Sequence, residues 1–558
     1  RLWEQSAGSP QGKATGPKTA SGTITPGTVT PGSCIATVGI IDDPKRQNQH
    51  LLQIDFPQID NLIIYGQTSY GTESMVSTIV DSLVRDYRSD QINLYTLDMG
   101  DGTLTAFNDA PQVGGTAVID DKERVISLIH FISRTIAHRR RLLNSLGERY
   151  EDYIAEDRAG SADNLGSGTD PTAGITYETS PADSQREPLP RIVVALTNIA
   201  AFNEAYPQFS DMLTEMVHEG PRYGIHFVVT STNFNQVNWR LRALFGLSLV
   251  TAFNNDDDYG GVLGSMAGTT PPRHYLRGLL LENNEKHEYQ AADAGTGKQI
   301  RERCRQLSRN SSGTSAPEIP RLPGLVTPDL MVPAVQEERD IPLGYDKQEV
   351  YPLAVDGLKA PAFIITGNDA EALNSFARGL GGTLASAAGG RIHRGVLIVD
   401  SLRLMRDLPQ DSENFHIATD ISDIADRLEA VCSGTAQPAM VLFTDILLTL
   451  SQLPAQSRNR VTSYIENGTY KDTTNLVLIM ERWRIENTYD AWLKAVRANP
   501  QGLWIGEGIK QESIFPNSNM PVEMNQAQAQ TDGWVFYRGG RHSIRVIHWA
   551  SDSEGGQQ

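Results

Sequence analysis

Two glycines, Gly66 and Gly71, stand at the spacing at which a chain folds around a phosphate. They follow the apolar run Asn61-Leu-Ile-Ile-Tyr65 and precede a stretch in which Met75, Val76, Ile79, Val80, Leu83, Val84 and Tyr87 recur at helical spacing. A strand that ends in a glycine-rich turn and opens a helix aims backbone N–H groups and the helix N-terminus at an anion. In the nucleotide-binding form, G-x-x-x-x-G-K-[ST], the Lys reaches the β- and γ-phosphates and the hydroxyl holds Mg²⁺. Through Gly66, Gln67, Thr68, Ser69, Tyr70 and Gly71 the pattern holds, but Thr72 stands where the Lys belongs and Glu73 where the hydroxyl belongs. Glu73 would face the polyphosphate with a carboxylate. Ser74, one position on, does not simply replace the lost hydroxyl.

The partner element for such a loop is an apolar strand ending in one or two carboxylates, which position Mg²⁺ and the attacking water. Arg191-Ile-Val-Val-Ala-Leu-Thr197-Asn198 ends in neutral residues instead. A second loop, at Gly367, keeps that glycine and Ser375, but Ala372, Leu373 and Asn374 replace the Gly, Lys and hydroxyl. Its partner strand, Met440-Val-Leu-Phe-Thr-Asp445-Ile446, keeps one acid, Asp445, which could equally cap the following turn. This chemistry rests on positioning and electrostatics, so the losses argue against hydrolysis at either loop, and no catalytic residue is assigned. ATP with Mg²⁺ is a candidate ligand of the first loop only. A look-alike, Gly295-Thr-Gly297-Lys298, lacks the first Gly and the hydroxyl and reads as a turn with a solvated Lys.

The elements that must hold these loops repeat along the chain. Strands are expected at 91–97, 191–196, 224–230 and 247–253, with helices signalled by Val125, Ile126, Ile129, Ile132 and Ile136 and by Met212, Met216 and Val217. Alternation of apolar strands with amphipathic helices implies a largely parallel sheet covered on both faces. The second half echoes the first: Asp55, Gly66 and Ser74 match Asp356, Gly367 and Ser375 at one offset, and Gly39 pairs with Gly344 after a short gap. The expectation is two copies of one α/β domain, at 38–308 and 338–552. Around them lie linkers at 1–37 and 309–337, a polar insertion at 151–190 and a tail at 553–558. Further strands of the second copy are expected at 395–399, 440–444, 475–480 and 502–505.

Composition narrows the function. With 558 residues, 39% apolar and 21% charged, the chain reads as an ordinary α/β protein of more than one domain. Its net charge of −18 disfavours generic nucleic-acid binding unless a local basic patch overrides it. The run His138-Arg139-Arg140-Arg141 reads as a solvated helix face or a contact between modules. Arg240 or Arg242 is a candidate for an arginine acting on a neighbouring module. Trp483, Trp492, Trp504 and Trp534 read mainly as packing residues, and Cys34, Cys304 and Cys432 as reduced thiols.

Several longer segments carry a family resemblance: VGIIDDP (Val38 to Pro44), LYTLDMGDGTLTAFNDAPQVGG (Leu94 to Gly115), DDKERV (Asp120 to Val125), RYGIHFVVTSTNFNQVNWRLRALFG (Arg222 to Gly246), NPQGLWIGEG (Asn499 to Gly508) and GWVFYRGGR (Gly533 to Arg541). In this order they resemble the FtsK/SpoIIIE-type ATPase modules of the EccC/EssC group of type VII secretion motors. The resemblance implies an α/β fold of two tandem RecA-like P-loop NTPase modules with central largely parallel sheets, the second and third modules of a longer parent. It implies an anchor and a first, hydrolytic module upstream, and a place on the cytoplasmic side of the cell membrane. The partners it implies are that upstream module, other secretion-complex subunits and secreted WXG-type helical proteins recognised by a C-terminal helical signal. Homo-oligomerisation is a further expectation. The role implied is regulation and substrate recognition with degenerate nucleotide sites; the alternatives are an active ATP-driven translocase of protein or DNA and a purely structural scaffold.

Overall fold

The computed structural model describes residues 33–155, 186–311, 313–357, 360–388, 392, 394–408, 411–412, 414–509, 513–515, 524 and 529–549. Most of the expected first linker, the core of the expected insertion and the expected tail lie outside the described residues. The chain divides into two units, Arg1–Pro320 and Arg321–Gln558. The expected linker at 309–337 is shared between them. Its first part bonds to the first unit, with Tyr95 Oη donating to the Pro317 carbonyl at 2.9 Å. Its second part buries Val326, Met331 and Val335 in the core of the second unit. At the start of the first unit the structured chain already includes Ile35, three residues before the expected boundary.

In the first unit β1 (Ile35–Asp43) and β2 (Asn48–Asp55) form a hairpin. β3 (Leu62–Tyr65), β4 (Ile92–Asp98), β5 (Val113–Val118), β6 (Arg191–Thr197), β7 (Ile225–Ser231) and β8 (Leu247–Val250) follow, and β9 (Arg277–Glu282) and β10 (Glu285–Ala291) close the series. Their order across the sheet is β2-β1-β10-β9-β8-β3-β7-β6-β4-β5. From β8 to β5 the neighbours run parallel, and the two hairpins extend the sheet antiparallel. The difference follows burial. β3, β4, β6 and β7 are buried at every residue and read as continuous apolar runs, whereas β2 alternates exposed and buried side chains. Helix Thr72–Asp86 covers one face with Met75, Val76, Ile79, Val80, Leu83 and Val84, as the spacing predicts, and helix Lys122–Leu146 covers the other.

The second unit contains β11 (Asp340–Asp346), β12 (Tyr351–Asp356), β13 (Phe363–Gly367), β14 (Val396–Val399), β15 (Asp411–Ser412), β16 (Phe415–Ala418), β17 (Met440–Phe443), β18 (Asn475–Glu481), β19 (Gln501–Ile505), β20 (Asp532–Tyr537) and β21 (Gly540–Val546). Their order, β12-β11-β21-β20-β19-β13-β18-β17-β14-β16-β15, repeats the first sheet position by position and adds β15 at the edge. The duplication read from scattered residues is therefore a duplication of topology.

The pairing of Gly39 with Gly344 across a gap has a structural reason. The register of β1 on β2 shifts between Thr37 and Gly39, and that of β11 on β12 between Pro342 and Gly344. Each glycine follows the same one-residue bulge and lies against the strand on its other side. A Cβ on Gly39 would sit 2.3 Å from the Gln290 carbonyl oxygen, and one on Gly344 2.0 Å from that of Arg545. Beyond the bulge the second hairpin is shorter by two residues in each arm, which preserves the inward and outward alternation. We expect Gly344→Val to destabilise its own unit by about 2–4 kcal/mol, because β11 and β21 must part to admit the side chain. Denaturant unfolding would show that unit's transition move down and the transition of the first unit stay.

Candidate phosphate loops and the strand ends beside them

β3 ends at Tyr65, and the chain turns through Gly66 (φ 140°), a short 3₁₀ turn at Thr68–Tyr70 and Gly71 (φ 87°) before the helix at Thr72. Both glycines hold conformations that side chains rarely adopt, and a Cβ on Gly66 would lie 2.0 Å from Thr251 Oγ1. The turn thus keeps the two glycine conformations expected of a phosphate loop, but the N–H groups of Gly66, Gln67, Tyr70 and Gly71 donate to the Ser231, Ala252, Gln67 and Thr68 carbonyls at 2.9, 2.9, 3.0 and 2.9 Å. Its side chains are turned to other uses. Thr72, at the Lys position, is buried and donates to the Gln67 carbonyl at 3.0 Å, while its hydroxyl lies 2.7 Å from that of Thr251. Ser74 accepts a hydrogen bond from Tyr275 Oη at 2.7 Å, and the Leu276 N–H donates to the Tyr70 carbonyl at 2.9 Å. The residues at 275 and 276 therefore strap the loop from outside.

Glu73 lies against the turn after β4: a Cβ on Gly100 would approach its Oε1 to 2.7 Å. Burial first, then the charges of Asp101 and Asp98, push its carboxyl up to about 7, against a hydrogen bond from Thr68 that pulls it down. Asp98 ends β4 and is buried. Its Oδ1 accepts from the Gly100 N–H at 3.1 Å and from Thr197 Oγ1 at 3.2 Å, and its Oδ2 from the Leu104 N–H at 3.0 Å. So the structure joins the loop to the expected partner strand through an acid on the strand between β5 and β6. Reading one strand at a time missed Asp98. Its signal was the Asp-x-Gly-Asp-Gly turn directly after an apolar strand. Asp400, just past the matching end of β14, likewise holds the turn that follows it, accepting from the Leu404 and Met405 N–H groups at 3.0 and 2.9 Å.

Thr197 and Asn198 are also bound into local structure. Thr197 Oγ1 accepts from the Met99 N–H at 3.0 Å. Asn198 adopts a left-handed conformation (φ 51°) and caps helix Ile199–Ala205 by accepting from the Ala201 N–H at 3.2 Å. Asp445 does the same one unit later. It caps helix Ile446–Gln452 by accepting from the Leu448 N–H at 2.8 Å, and its other oxygen pairs with Arg484.

The second loop departs further from the pattern. Helix Ala370–Ala388 begins two residues beyond Asn368, and Asp369 fills its N-terminus, accepting from the Glu371 and Ala372 N–H groups at 2.8 and 3.3 Å. Ser375 points elsewhere: its hydroxyl lies 2.9 Å from His548 Nδ1 and accepts from the Trp549 N–H at 3.0 Å. Among the described residues, no group of three or more His, Cys, Asp or Glu is arranged to hold a metal ion.

Other singled-out residues resolve individually. Arg139 is buried inside the first unit, while His138 and Arg140 pair with Glu187 and Glu219 on its surface. Arg242 stacks on Phe234 at 3.8 Å and Arg240 on exposed Trp239 at 5.4 Å. Trp492, Trp504 and Trp534 are core residues, but Trp483 is 58% exposed. The look-alike at 295–298 is a capping box in which Thr296 and Gln299 start helix Gly297–Asn310. All three cysteines are free thiols, and burial holds Cys34 up at about 12 and Cys304 and Cys432 at about 11.

Residues 37–236 match the FtsK/SpoIIIE family, so the first unit carries a domain of that family. Over both units the fold matches solved structures. The second and third ATPases of EssC from Geobacillus thermodenitrificans align at TM-score 0.60 and 16% identity, covering 94% of this chain and 98% of that one. Those of EccC from Thermomonospora curvata, in complex with a signal sequence peptide, align at 0.58 and 18%, covering 96% and 97%. Among curated sequences, the ESX secretion system protein EccC of Thermomonospora curvata is 23% identical over 63% of this chain and 26% of its own length. The type VII secretion system protein EssC of Staphylococcus aureus is 18% identical over 79% and 29%. The chain is thus similar to the EccC/EssC proteins along both units, and it spans just over a quarter of the length of these two relatives.

Glu73 makes the first unit sensitive to pH. Its folded-state pKa lies above its unfolded one, so the folded unit holds a proton that the unfolded chain gives up. That contribution is fully present below the unfolded pKa and is lost as pH rises through about 7. After solvent screening it amounts to about 1–2 kcal/mol. We expect Glu73→Gln to raise the melting temperature of the first unit by roughly 2–4 °C at pH 8 and to leave it unchanged at pH 5. Calorimetry at the two pH values checks this.

Proposed function

We propose that the two units are regulatory and substrate-recognition modules of a type VII protein secretion motor, acting on the cytoplasmic side of the membrane without hydrolysing ATP themselves. The observation that carries this reading is the state of the two loops within one duplicated fold. The first keeps both glycines in their turn conformations but has hydroxyl and carboxylate side chains where Lys and the Mg²⁺ ligand belong. The second starts its helix early and fills the N-terminus with its own Asp369. Such a pair keeps the sheet and helix surfaces of a motor while lacking the groups that stabilise phosphoryl transfer. In this reading ATP is a ligand of the first unit only, bound without Mg²⁺-assisted chemistry.

The ligand in this reading is the helical C-terminal signal of a secreted WXG-type protein, docking by its apolar face on a groove of the second unit and biasing the hydrolytic module of the parent protein. Support comes from the related EccC fragment, whose solved structure contains a signal sequence peptide. The chain's net charge of −18 agrees with a protein cargo rather than DNA. No helix among the described residues is long and apolar enough to cross a membrane.

Two measurements test this. Purified chain given ATP and Mg²⁺ should release phosphate at the rate of the buffer blank. Turnover that disappears in Asp445→Ala would refute the non-hydrolytic reading, since Asp445 here serves only as a helix cap and an ion-pair partner. Titration with WXG-type proteins should show binding that is lost when their C-terminal tails are removed. Tail-independent binding, or none, favours a structural scaffold.

A further inference from the structure

The first unit has a region with no counterpart in the second. Helix Lys122–Leu146 is 25 residues long against 12 for its equivalent, Ile421–Cys432. The chain then continues through Tyr150 and Tyr153 before returning to β6, whereas the second unit passes from Cys432 to β17 at Met440. This extension places Arg139 inside the protein, 3% exposed. Its guanidinium donates to the Tyr223 and Pro190 carbonyls at 2.8 and 2.7 Å and lies 5.7 Å from the centre of the Tyr150 ring. Among the described residues no carboxylate forms an ion pair with it. A buried cation without a counter-ion is expensive, and its field is weakly screened.

Tyr150 also lines a cavity of about 770 Å³ at the ends of β3, β7 and β8, opposite the Gly66–Gly71 loop. Three more cationic or titratable groups line it, Arg149, Arg222 and His218, and none has an ion-pair partner among the described residues. The lining carboxylates are mostly neutralised. Arg186 binds Glu148 through both nitrogens at 3.2 Å, and Arg191 binds Glu151 at 2.6 Å. That leaves Asp60. The backbone at Asp60 is strained: φ 60° and ψ −68°, with the Asn61 N–H donating to the Ile59 carbonyl at 2.7 Å, form the rarer kind of γ-turn in a residue with a side chain. His226 holds the turn, its Nδ1 2.6 Å from the Asp60 carbonyl. Burial keeps this imidazole neutral, down at about 3, so Nδ1–H donates and Nε2 accepts from Arg191 at 3.3 Å.

We propose that this cavity is an anion site that takes a small phosphorylated molecule, with Arg149 and Arg222 binding the phosphoryl group and Tyr150 facing the rest of the ligand. Two guanidinium forks suit a dianionic phosphoryl group better than a single carboxylate. The volume exceeds that of a bare anion and falls within the range of small-molecule pockets. In a chain of net charge −18, a cavity whose free charges are mainly cationic is a local exception that favours anions. The site is separate from the phosphate loop and stands or falls independently of the secretion reading.

The test is calorimetric titration of the full chain with inorganic pyrophosphate, without Mg²⁺ and at low salt, joined to hydrogen exchange. One saturable site is expected, weakened about tenfold or more by Arg149→Gln or Arg222→Gln and lost in the double variant. Arg149→Lys with Arg222→Lys, keeping charge without the fork, should retain part of the affinity. Both arginines are exposed, and unchanged melting temperatures confirm that the variants fold. Bound pyrophosphate should protect residues 143–150 and 217–223. Absence of saturable binding, full affinity in the double Gln variant, or protection confined to residues 66–78 would overturn the proposal.

Discussion

The position of every group in the phosphate loop depends on where β3 stops. That strand is four residues long, hydrogen-bonded to parallel neighbours on both sides, and buried throughout. Its last residue hands the chain to Gly66, whose N–H donates to the carbonyl of Ser231, the last residue of β7, while the next N–H, of Gln67, donates to the Ala252 carbonyl beyond β8. The loop is pinned from two strands at once. Because Thr251 Oγ1 occupies the space where a Cβ would go, only glycine fits. The same constraint acts at Gly367, where the Ile505 carbonyl oxygen lies 2.6 Å from an ideal Cβ. Glycine is retained at both places for the sheet, whatever the loop beyond it does.

That separation explains how the fold can persist while its chemistry changes. In the first unit the Lys position is filled by a threonine hydroxyl that closes a buried hydrogen-bond pair, and the Mg²⁺ position by a carboxylate pressed against two others. In the second, the helix N-terminus is satisfied by a side chain of its own. Each replacement meets the local need to pair a buried polar group or cap a helix. None supplies a cation for a phosphate. Asn198 and Asp445 illustrate the same economy, since an acid or an amide at the strand end serves equally well as a cap.

Much of this was legible in the chain itself. Strands buried on both faces announce themselves as apolar runs, and so β3, β6, β7, β13, β17 and β18 were readable, as were the two glycines and the missing Lys. The duplication was readable because Asp55, Gly66 and Ser74 match Asp356, Gly367 and Ser375 at one offset, and the pairing of Gly39 with Gly344 across a gap reflects a bulge that both hairpins share. The antiparallel hairpins were harder. β2 carries one buried side chain for each one or two exposed, and β9 and β10 mix charges with apolar residues, so no single period stands out. Asp98 and Asp400 were not found because their roles depend on backbone N–H groups several residues on, in turns without periodicity. Arg139 was hidden by its neighbours. A run of four basic residues reads as a solvated face, yet helical rotation turns one of them inward.

The first loop keeps the glycine turns of a phosphate loop and has Thr72 and Glu73 in place of the Lys and the hydroxyl that would serve Mg²⁺. The most direct measurement is the affinity of the purified chain for a fluorescent ATP analogue in Mg²⁺ and again in EDTA. We expect the same affinity, or the same absence of binding, in both. Binding that tightens tenfold or more when Mg²⁺ is added would contradict it.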